Sequence, residues 1–492
     1  MDKLERFTAS ELGQHVNEGK IKPSEVVKYF IERIEKRNTS INAVVYKKYD
    51  EAIQKAYSMD KKIEEGAYLG PFAGVPFILK DFLPNKKGWV STHGGVKCLE
   101  SIDSVNSVFC DAMESLGGIA LGKANAPAYG FRGTTDNKMF GVTKNPFNLS
   151  YNPGGSSGGS AASVADGLCL IAEGGDAGGS IRVPASFNNL FGFKAGISVI
   201  PSISRPDAFS ASHPYCFNGG LTKSVLDTAI LLNAMSYYDP LDPLSRPMNI
   251  NYVEEMNQSV KGLKIAYTTD FDIFEVEPRV KEKFLNIVDS FKEIGLETEE
   301  IHFNFNHTAN ELANMWCLGI TLDPTIEINL EKEKGNDLLK EHYDEFPEEF
   351  IYWKEKCDEF GVMDLYKFNL ARTAVLDEFE RVFKEYDFIL SPISCVEAIK
   401  NADDRNTKGP DMINGKKIDP LIGWAETFLP NFTGHPSCSI PAGFINEANI
   451  PFGIQAIGKK FNDGKLLALA HAYELHKPWK DNYKVALNRI IK

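Results

Sequence analysis

The sequence of 492 residues lacks the long apolar runs and the basic excess that mark several common classes of protein. No stretch of about 18 apolar residues occurs, so we expect no membrane-spanning helix and no membrane partner. The opening residues, MDKLERFTASELGQHVNEGK, contain no apolar run, which predicts no signal peptide. The formal net charge is −13, and because an acidic surface repels phosphate backbones we also expect no nucleic-acid partner.

The cysteines and histidines show no spacing that is typical of a metal site or a disulfide framework. The chain has eight cysteines and nine histidines, and no C-x-x-C pair occurs among them. Such a low density of cysteine is ordinary for a protein that stays in a reducing compartment. We therefore expect reduced thiols, a cytoplasmic location and no bound metal.

What the sequence does contain is a globular composition with alternating strand and helix patterns. Hydrophobic residues make up 43% and charged residues 25% of the chain, which is enough apolar material for a large core. Residues 262–303 show a strand, an amphipathic helix and a second strand, and residues 107–125 show a helix, a turn and a strand. No repeat or long linker interrupts the chain. These patterns predict an α/β fold in which one domain, residues 1–492, holds a β-sheet covered by helices.

A glycine- and serine-rich stretch, YNPGGSSGGSAASVADG, covers residues 151–167 and allows three interpretations. A flexible linker is disfavoured because a helix pattern and a strand pattern follow directly. A phosphate-binding loop is disfavoured because no lysine follows the glycines. Residues 154–158 match the G-x-S-x-G nucleophile elbow, but the buried strand that must precede such an elbow is missing. We therefore interpret this match as accidental.

A second glycine–serine site, at residues 174–180, has the context that the first one lacks. The apolar pattern LCLIAE leads into GGDAGGS, which ends at Ser180. Glycine-rich backbone at such a turn can leave N–H groups free, which is the arrangement of an oxyanion hole. No nearby histidine offers a base, but a buried lysine with a lowered pKa can serve instead. Lys80, at the end of the apolar stretch AGVPFILK, is the candidate.

Three stretches together, GPFAGVPFILKDF, NPGGSSGGSAASVADG and GGDAGGSIRVPAS, resemble the amidase signature family of amide hydrolases. The order also resembles that family, because Lys80 comes first, then Ser156, and Ser180 follows 24 residues later. The similarity includes LGKANAPAYG before the first loop, and FLPNFTGHPSCSIPAGF and IPFGIQAIG near the end. Residues of about 240–420 carry no motif that we can assign.

The resemblance implies a mixed central β-sheet covered by helices on both faces, and a Ser–cis-Ser–Lys triad. Lys80 would be the base, Ser156 the bridging serine in a cis bond with Gly155, and Ser180 the nucleophile. The oxyanion hole would consist of the backbone N–H groups of Ala177, Gly178, Gly179 and Ser180. Supporting roles would fall to Ser157, Asp176 and Arg182.

The triad residues also have structural interpretations, which the sequence alone leaves open. Lys80 could be a surface lysine just beyond a strand, and each serine could cap a helix. The three structural interpretations are individually ordinary, but their coincidence in the order of one family argues against all of them together.

The implied activity is hydrolysis of a carboxylic amide to a carboxylate and ammonia or an amine, through a serine acyl-enzyme and without a cofactor. Three alternatives remain: an amidotransferase subunit that works on misacylated tRNA with partner subunits, a hydrolase of cyclic or linear oligoamides, and a non-catalytic binding protein with the same fold, against which the intact triad argues. The main interpretation predicts a small-molecule amide as substrate and a monomer or homodimer as the active form.

The resemblance places the acyl pocket in a variable, largely helical region of about 300–420 and in the loops near 125–135. The stretches AYGFRG and ANMWCLGI suit an aryl or alkyl group, which makes Tyr129 and Cys317 candidates for substrate binding. Both stretches suit core packing equally well, and a buried structural thiol is the simpler interpretation of Cys317.

Overall fold

The computed structural model describes residues 3–83, 85–210 and 216–491. Its strands are β1 Val44–Lys47, β2 Pro76–Lys80, β3 Val90–Ser91, β4 Ser101–Ile102, β5 Ile119–Ala124, β6 Asp136–Asn137, β7 Gly141–Val142, β8 Ile171–Asp176, β9 Phe191–Lys194, β10 Phe217–Thr222, β11 Lys264–Tyr267, β12 Glu297–Glu300, β13 Phe388–Pro392, β14 Met412–Ile413, β15 Lys416–Lys417, β16 Ser437–Phe444 and β17 Pro451–Gly458.

Eleven of these strands form one central mixed sheet, in the order β1-β5-β2-β8-β10-β9-β16-β17-β13-β11-β12. Strands β5, β2 and β8 are parallel to one another, as are β13, β11 and β12. The strands between these two groups pair antiparallel, from β8 through β10, β9, β16 and β17 to β13. The prediction of an α/β fold with a mixed central sheet is confirmed.

The helices flank this sheet. They are α1 Ala9–Asn17, α2 Pro23–Ile41, α3 Tyr49–Glu64, α4 Val108–Ser115, α5 Gly158–Ala165, α6 Arg182–Phe187, α7 Val225–Met235, α8 Tyr252–Glu255, α9 Pro278–Glu293, α10 Ala309–Glu333, α11 Leu338–Glu341, α12 Glu348–Asp358, α13 Val362–Phe383, α14 Leu429–Thr433, α15 Asp463–His476 and α16 Lys484–Leu487. Within the described ranges, no helix is both long enough and apolar enough to cross a membrane.

The region from α10 to α13, residues 309–383, is mostly helical. It lies between strands β12 and β13 in the chain, which are both in the central sheet but are not neighbours in it. The region is therefore a long insertion between sheet strands, and it contributes α10, whose residues reach the site described below.

Strands β2 and β8 set the position of the candidate site. They are parallel neighbours, with Phe77 opposite Ile171 and Ile78 opposite Ala172. All five residues of β2 are buried, as expected for a strand that is covered on both faces. Because parallel strands end at the same edge of a sheet, the end of β2 at Lys80 and the loop after β8 lie close together.

Candidate active site

Lys80 is the last residue of β2, and its side chain is buried with an exposed fraction of 3%. Its Nζ donates a hydrogen bond to Ser156 Oγ at 2.7 Å and lies 5.0 Å from the centre of the Phe82 ring. In the described part of the chain, no carboxylate forms a salt bridge with this ammonium group. Asp81, the adjacent acid, instead accepts a hydrogen bond from the backbone N–H of Thr92 at 3.0 Å.

Burial controls the charge of Lys80. Removal from water disfavours the ammonium form and lowers the pKa of Lys80 to about 7, although the negative charges of Glu173 and Asp176 act in the opposite direction. Glu173 is hydrogen-bonded to the backbone of this lysine, since its Oε2 accepts the Lys80 N–H at 3.0 Å. Lys80 can therefore exist as a neutral amine near neutral pH.

Ser156 lies in a glycine-rich loop that packs against residues 134–135. The Gly155–Ser156 peptide bond is cis, as the family resemblance implied. A Cβ on Gly155 would lie 2.5 Å from the carbonyl oxygen of Thr134, so only glycine fits against that backbone. Thr135 Oγ1 donates to the Gly154 carbonyl at 2.8 Å and accepts the Gly158 N–H at 3.1 Å. The glycines thus allow close packing against residues 134–135.

Ser180 lies four residues after the end of β8, at Asp176, and is partly exposed, whereas Ser156 is 2% exposed. The two loops are in contact, because the Ser157 N–H donates to the Ser180 carbonyl at 3.3 Å. Ser157 Oγ also accepts the Gly175 N–H at 3.4 Å. The structure therefore brings the Lys80–Ser156 pair and the Ser180 loop together, with Ser180 nearest to solvent.

Asp176 and Arg182 form a buried ion pair beneath this loop. Arg182 Nη2 donates to Asp176 Oδ1 at 2.7 Å, and both side chains are fully buried. Burial alone would raise the pKa of Asp176, but the Arg182 guanidinium and its hydrogen bonds lower that pKa to about 2. The same carboxylate accepts the backbone N–H groups of Gly179, at 2.7 Å, and Ile181, at 3.1 Å. The pair fixes the backbone on both sides of Ser180.

The backbone N–H groups of this loop divide into two kinds. The Gly179 N–H is already bonded to Asp176, so it is not free to bind a substrate oxygen in this conformation. Among the described residues, the N–H groups of Ala177, Gly178 and Ser180 have no hydrogen-bond acceptor. Three of the four predicted oxyanion-hole donors are therefore free in this conformation, and the role of all four stays a prediction.

The two predicted substrate-binding residues have different surroundings. Tyr129 stacks on Phe350 at 4.9 Å between ring centres, and its neighbour Phe131 meets the same ring edge-on at 5.6 Å. Between them, a Cβ on Gly130 would lie 3.2 Å from Ser156 Oγ, so this segment borders the relay serine. Cys317 is fully buried, as Phe350 is, and its role in substrate binding stays a prediction.

The sequence analysis did not single out Trp316, which does reach the site. Its indole N–H donates to the carbonyl oxygen of Ala177 at 2.9 Å, although the two residues are 139 positions apart. The apolar stretch ANMWCLGI indicated this part of α10, but nothing in its spacing distinguished Trp316 from Cys317.

One cluster in the described ranges combines side chains that could hold a metal ion, and it lies outside the triad. The ligand atoms of Cys98, His342 and Glu345 lie within 4.8 Å of one another. The cluster is already hydrogen-bonded internally, since Glu345 accepts the Cys98 backbone N–H at 2.6 Å and lies 3.2 Å from His342 Nδ1.

Comparison with known proteins shows which family the chain belongs to. A family model described as Amidase matches residues 25–467. A solved bacterial aryl acylamidase of the amidase signature enzymes is 37% identical, with a TM-score of 0.95 over 99% of each chain. An acylamidase from Rhodococcus erythropolis is 29% identical over 97% of each chain. A glutamyl-tRNA(Gln) amidotransferase subunit from Prochlorococcus marinus (strain MIT 9312) is 33% identical over 92% of this chain and 94% of its own.

The chain belongs to the amidase signature family, and it is an enzyme that hydrolyses carbon–nitrogen bonds of amides.

Proposed function

We propose that the protein is a serine amidase that acts on small amides with an aryl or alkyl group. The observation that carries this proposal is the buried contact of 2.7 Å between Lys80 Nζ and Ser156 Oγ, next to the loop of the partly exposed Ser180. In this proposal Lys80 is the base, Ser156 relays the proton and Ser180 is the nucleophile. The active form is a cytoplasmic monomer or homodimer.

The mechanism follows from the charge of Lys80 and from the burial of Lys80 and Ser156 behind the more exposed Ser180. Neutral Lys80 takes a proton from Ser156, which takes the proton of Ser180 as Ser180 Oγ attacks the amide carbonyl. The resulting oxyanion accepts hydrogen bonds from the free N–H groups of the 177–180 loop. The relay then returns the proton to the leaving nitrogen, and the carbon–nitrogen bond breaks. Water attacks the acyl-enzyme through the same relay and releases the carboxylate.

The substrate class is inferred from the aromatic cluster of Tyr129, Phe131, Phe346 and Phe350. Tyr129 and Phe346 both stack on Phe350, at 4.9 Å and 5.8 Å from its ring centre. The cluster borders Ser156 through Gly130, and its buried rings make the surroundings of Ser156 apolar on this side, which favours an apolar group in the substrate. The likeness to an aryl acylamidase at 37% identity supports the same assignment.

Removal of the nucleophile tests this proposal. We expect Ser180→Ala to lose amide hydrolysis by several orders of magnitude, because the acyl-enzyme can no longer form. A fluorophosphonate probe should label the wild type and not Ser180→Ala, while Ser156→Ala should label slowly because its nucleophile remains. Circular dichroism provides the control for folding.

Labelling that survives in Ser180→Ala but disappears in Ser156→Ala would contradict the assignment. That result would make Ser156 the nucleophile and revive the G-x-S-x-G interpretation of residues 154–158.

A further inference from the structure

We infer that Trp316 and Thr427 are positioning residues for the oxyanion hole, acting through the carbonyl groups of the nucleophile loop. This inference rests on the proposed function, since it concerns how the same N–H donors are aimed. Trp316 belongs to α10, in the helical insertion, and Thr427 lies in a short 3₁₀ turn, Glu426–Phe428, just before α14.

Each of three consecutive carbonyl groups in the loop accepts a side-chain hydrogen bond from outside it. Asn431 Nδ2 donates to the Asp176 carbonyl at 2.9 Å, and Trp316 Nε1 donates to the Ala177 carbonyl at 2.9 Å. Thr427 Oγ1 donates to the Gly178 carbonyl at 2.5 Å. The next carbonyl, of Gly179, accepts the N–H of Val183 from α6 at 2.7 Å.

These bonds determine where the N–H groups point. In a trans peptide, the carbonyl of one residue and the N–H of the next point in opposite directions. The bond from Trp316 to the Ala177 carbonyl therefore turns the Gly178 N–H away from Trp316, and Gly178 is one of the three free donors. By the same argument, Asn431 orients the free N–H of Ala177.

The peptide held by Thr427 provides an internal check of this reasoning. The bond to the Gly178 carbonyl turns the Gly179 N–H to the opposite side, where it meets Asp176 Oδ1 at 2.7 Å. Thr427 thus anchors the middle of the loop to the buried ion pair. With that peptide fixed, the peptides on either side can present their N–H groups to one substrate oxygen.

Gly178 and Gly179 leave room in the loop for the side chains of Trp316 and Thr427. A Cβ on Gly178 would overlap Trp316 Nε1, and a Cβ on Gly179 would overlap Thr427 Oγ1. Gly179 also has a φ of +127°, which side chains rarely adopt. The missing Cβ atoms therefore allow Trp316 and Thr427 to approach the backbone, in addition to any contact with substrate.

The first test replaces only the indole donor. We expect Trp316→Phe to lower kcat by about 10- to 100-fold, since loss of a full oxyanion donor costs about 100- to 1,000-fold. KM should stay within about twofold of the wild-type value. The neutral carbonyl of the bound substrate depends less on correctly oriented N–H donors than the oxyanion of the transition state does. Affinity for a trifluoromethyl ketone, which forms a tetrahedral adduct, should fall by the same factor as kcat/KM. Trp353→Phe on α12, in the same helical insertion, is the matched control.

The second test separates the hydroxyl from the shape of Thr427. Thr427→Val keeps the volume and removes the donor, so kcat and analogue affinity should fall together. Thr427→Ser restores the donor and should recover most of both. The pH at which kcat/KM is half-maximal should not change in any of these variants, because Lys80 and Ser156 keep their contacts.

Two results would overturn this inference while leaving the proposed function intact. The first is a wild-type kcat in both Trp316→Phe and Thr427→Val, with Ser180→Ala inactive. The second is a loss of kcat without a matching loss of analogue affinity. Activity that persists in Ser180→Ala would instead overturn the proposed function itself.

Discussion

At the scale of single residues, Lys80 combines complete burial with a hydroxyl partner and no salt bridge within the described ranges. Desolvation lowers its pKa to about 7, several units below the usual range for lysine. The proposed base is the neutral amine, which is the form that dominates above this pKa. Activity should therefore increase with pH through the ionisation of Lys80.

We expect kcat/KM of the wild type to rise through a single ionisation near pH 7 and then to reach a plateau. Lys80→Ala should remove this ionisation and nearly all activity, and Lys80→Arg should not restore it, because a guanidinium stays protonated. The measurement is a pH–rate profile of the wild type and both variants. Substantial activity in Lys80→Arg would exclude Lys80 as the base. So would a rise of kcat/KM near pH 7 that persists in Lys80→Ala.

The sequence predicted the contact of Lys80 with Ser156 but not the residues that hold the nucleophile loop. Lys80, Ser156 and Ser180 lie in glycine-rich or strongly apolar stretches, and the order of those stretches carries the family resemblance. Trp316 and Thr427 act through single hydrogen bonds to backbone atoms that lie 139 and 249 positions away. No local pattern reports a bond of that kind, because its partner is a carbonyl group that every residue has.

At the scale of elements, β8 and α6 form a rigid strand–loop–helix unit around Ser180. Asp176 ends β8 and Arg182 begins α6, so their ion pair closes the loop at its base. Arg182 also donates to the Thr427 carbonyl at 2.7 Å and to Gln455 in β17 at 2.5 Å. The unit is thereby tied to the opposite half of the sheet.

We expect Arg182→Met to destabilise the protein by about 3–5 kcal/mol, because it leaves the Asp176 carboxylate buried without its cation. Without the arginine, burial should raise the pKa of Asp176 above its unfolded value of about 4, so the variant should lose stability as pH rises above that value. In the wild type the lowered pKa has the opposite effect: its stabilising contribution is complete above the unfolded pKa of about 4 and is lost as pH falls through the folded pKa of about 2.

Thermal and urea denaturation at several pH values measure this effect. Arg279→Met is the control, since Arg279 is exposed and pairs with Glu397 at 3.3 Å on the surface. This prediction would be contradicted if Arg182→Met were as stable as Arg279→Met at neutral pH. It would also be contradicted if the difference in free energy of unfolding between the wild type and Arg182→Met did not increase with pH.

The strands and helices of the site were predictable from periodicity, whereas their arrangement was not. The buried strand ending at Lys80 and the apolar strand before Ser180 follow from short apolar runs bounded by glycine and proline. The order of the central sheet does not, because β10 inserts between β8 and β9 and pairs antiparallel with both. Side-chain alternation along a strand carries no information about which strand lies beside it.

At the scale of the whole molecule, the chain is similar to two kinds of protein, acylamidases and subunits of an amidotransferase. The chain is 37% identical to an aryl acylamidase over 99% of its length, and 33% identical to an amidotransferase subunit over 92%. The net charge of −13 is unfavourable for binding tRNA, since both surfaces are negative. The proposed apolar site beside Ser156 would also suit an aryl or alkyl group better than glutamine.

We therefore expect the purified protein to hydrolyse simple aryl and alkyl amides without tRNA, ATP or another protein. A panel of anilides, aliphatic amides, amino-acid amides and small cyclic amides, followed by release of amine or ammonia, provides the measurement. The anilides and alkyl amides should give the highest kcat/KM, and glutamine should be hydrolysed at least about 100-fold less efficiently, because a polar side chain gains little from an apolar pocket. Ser180→Ala, assayed on the same panel, corrects for contaminating amidases. Turnover that appears only with glutamine, ATP and a partner protein would instead assign the chain to an amidotransferase, with its pocket completed by the assembly.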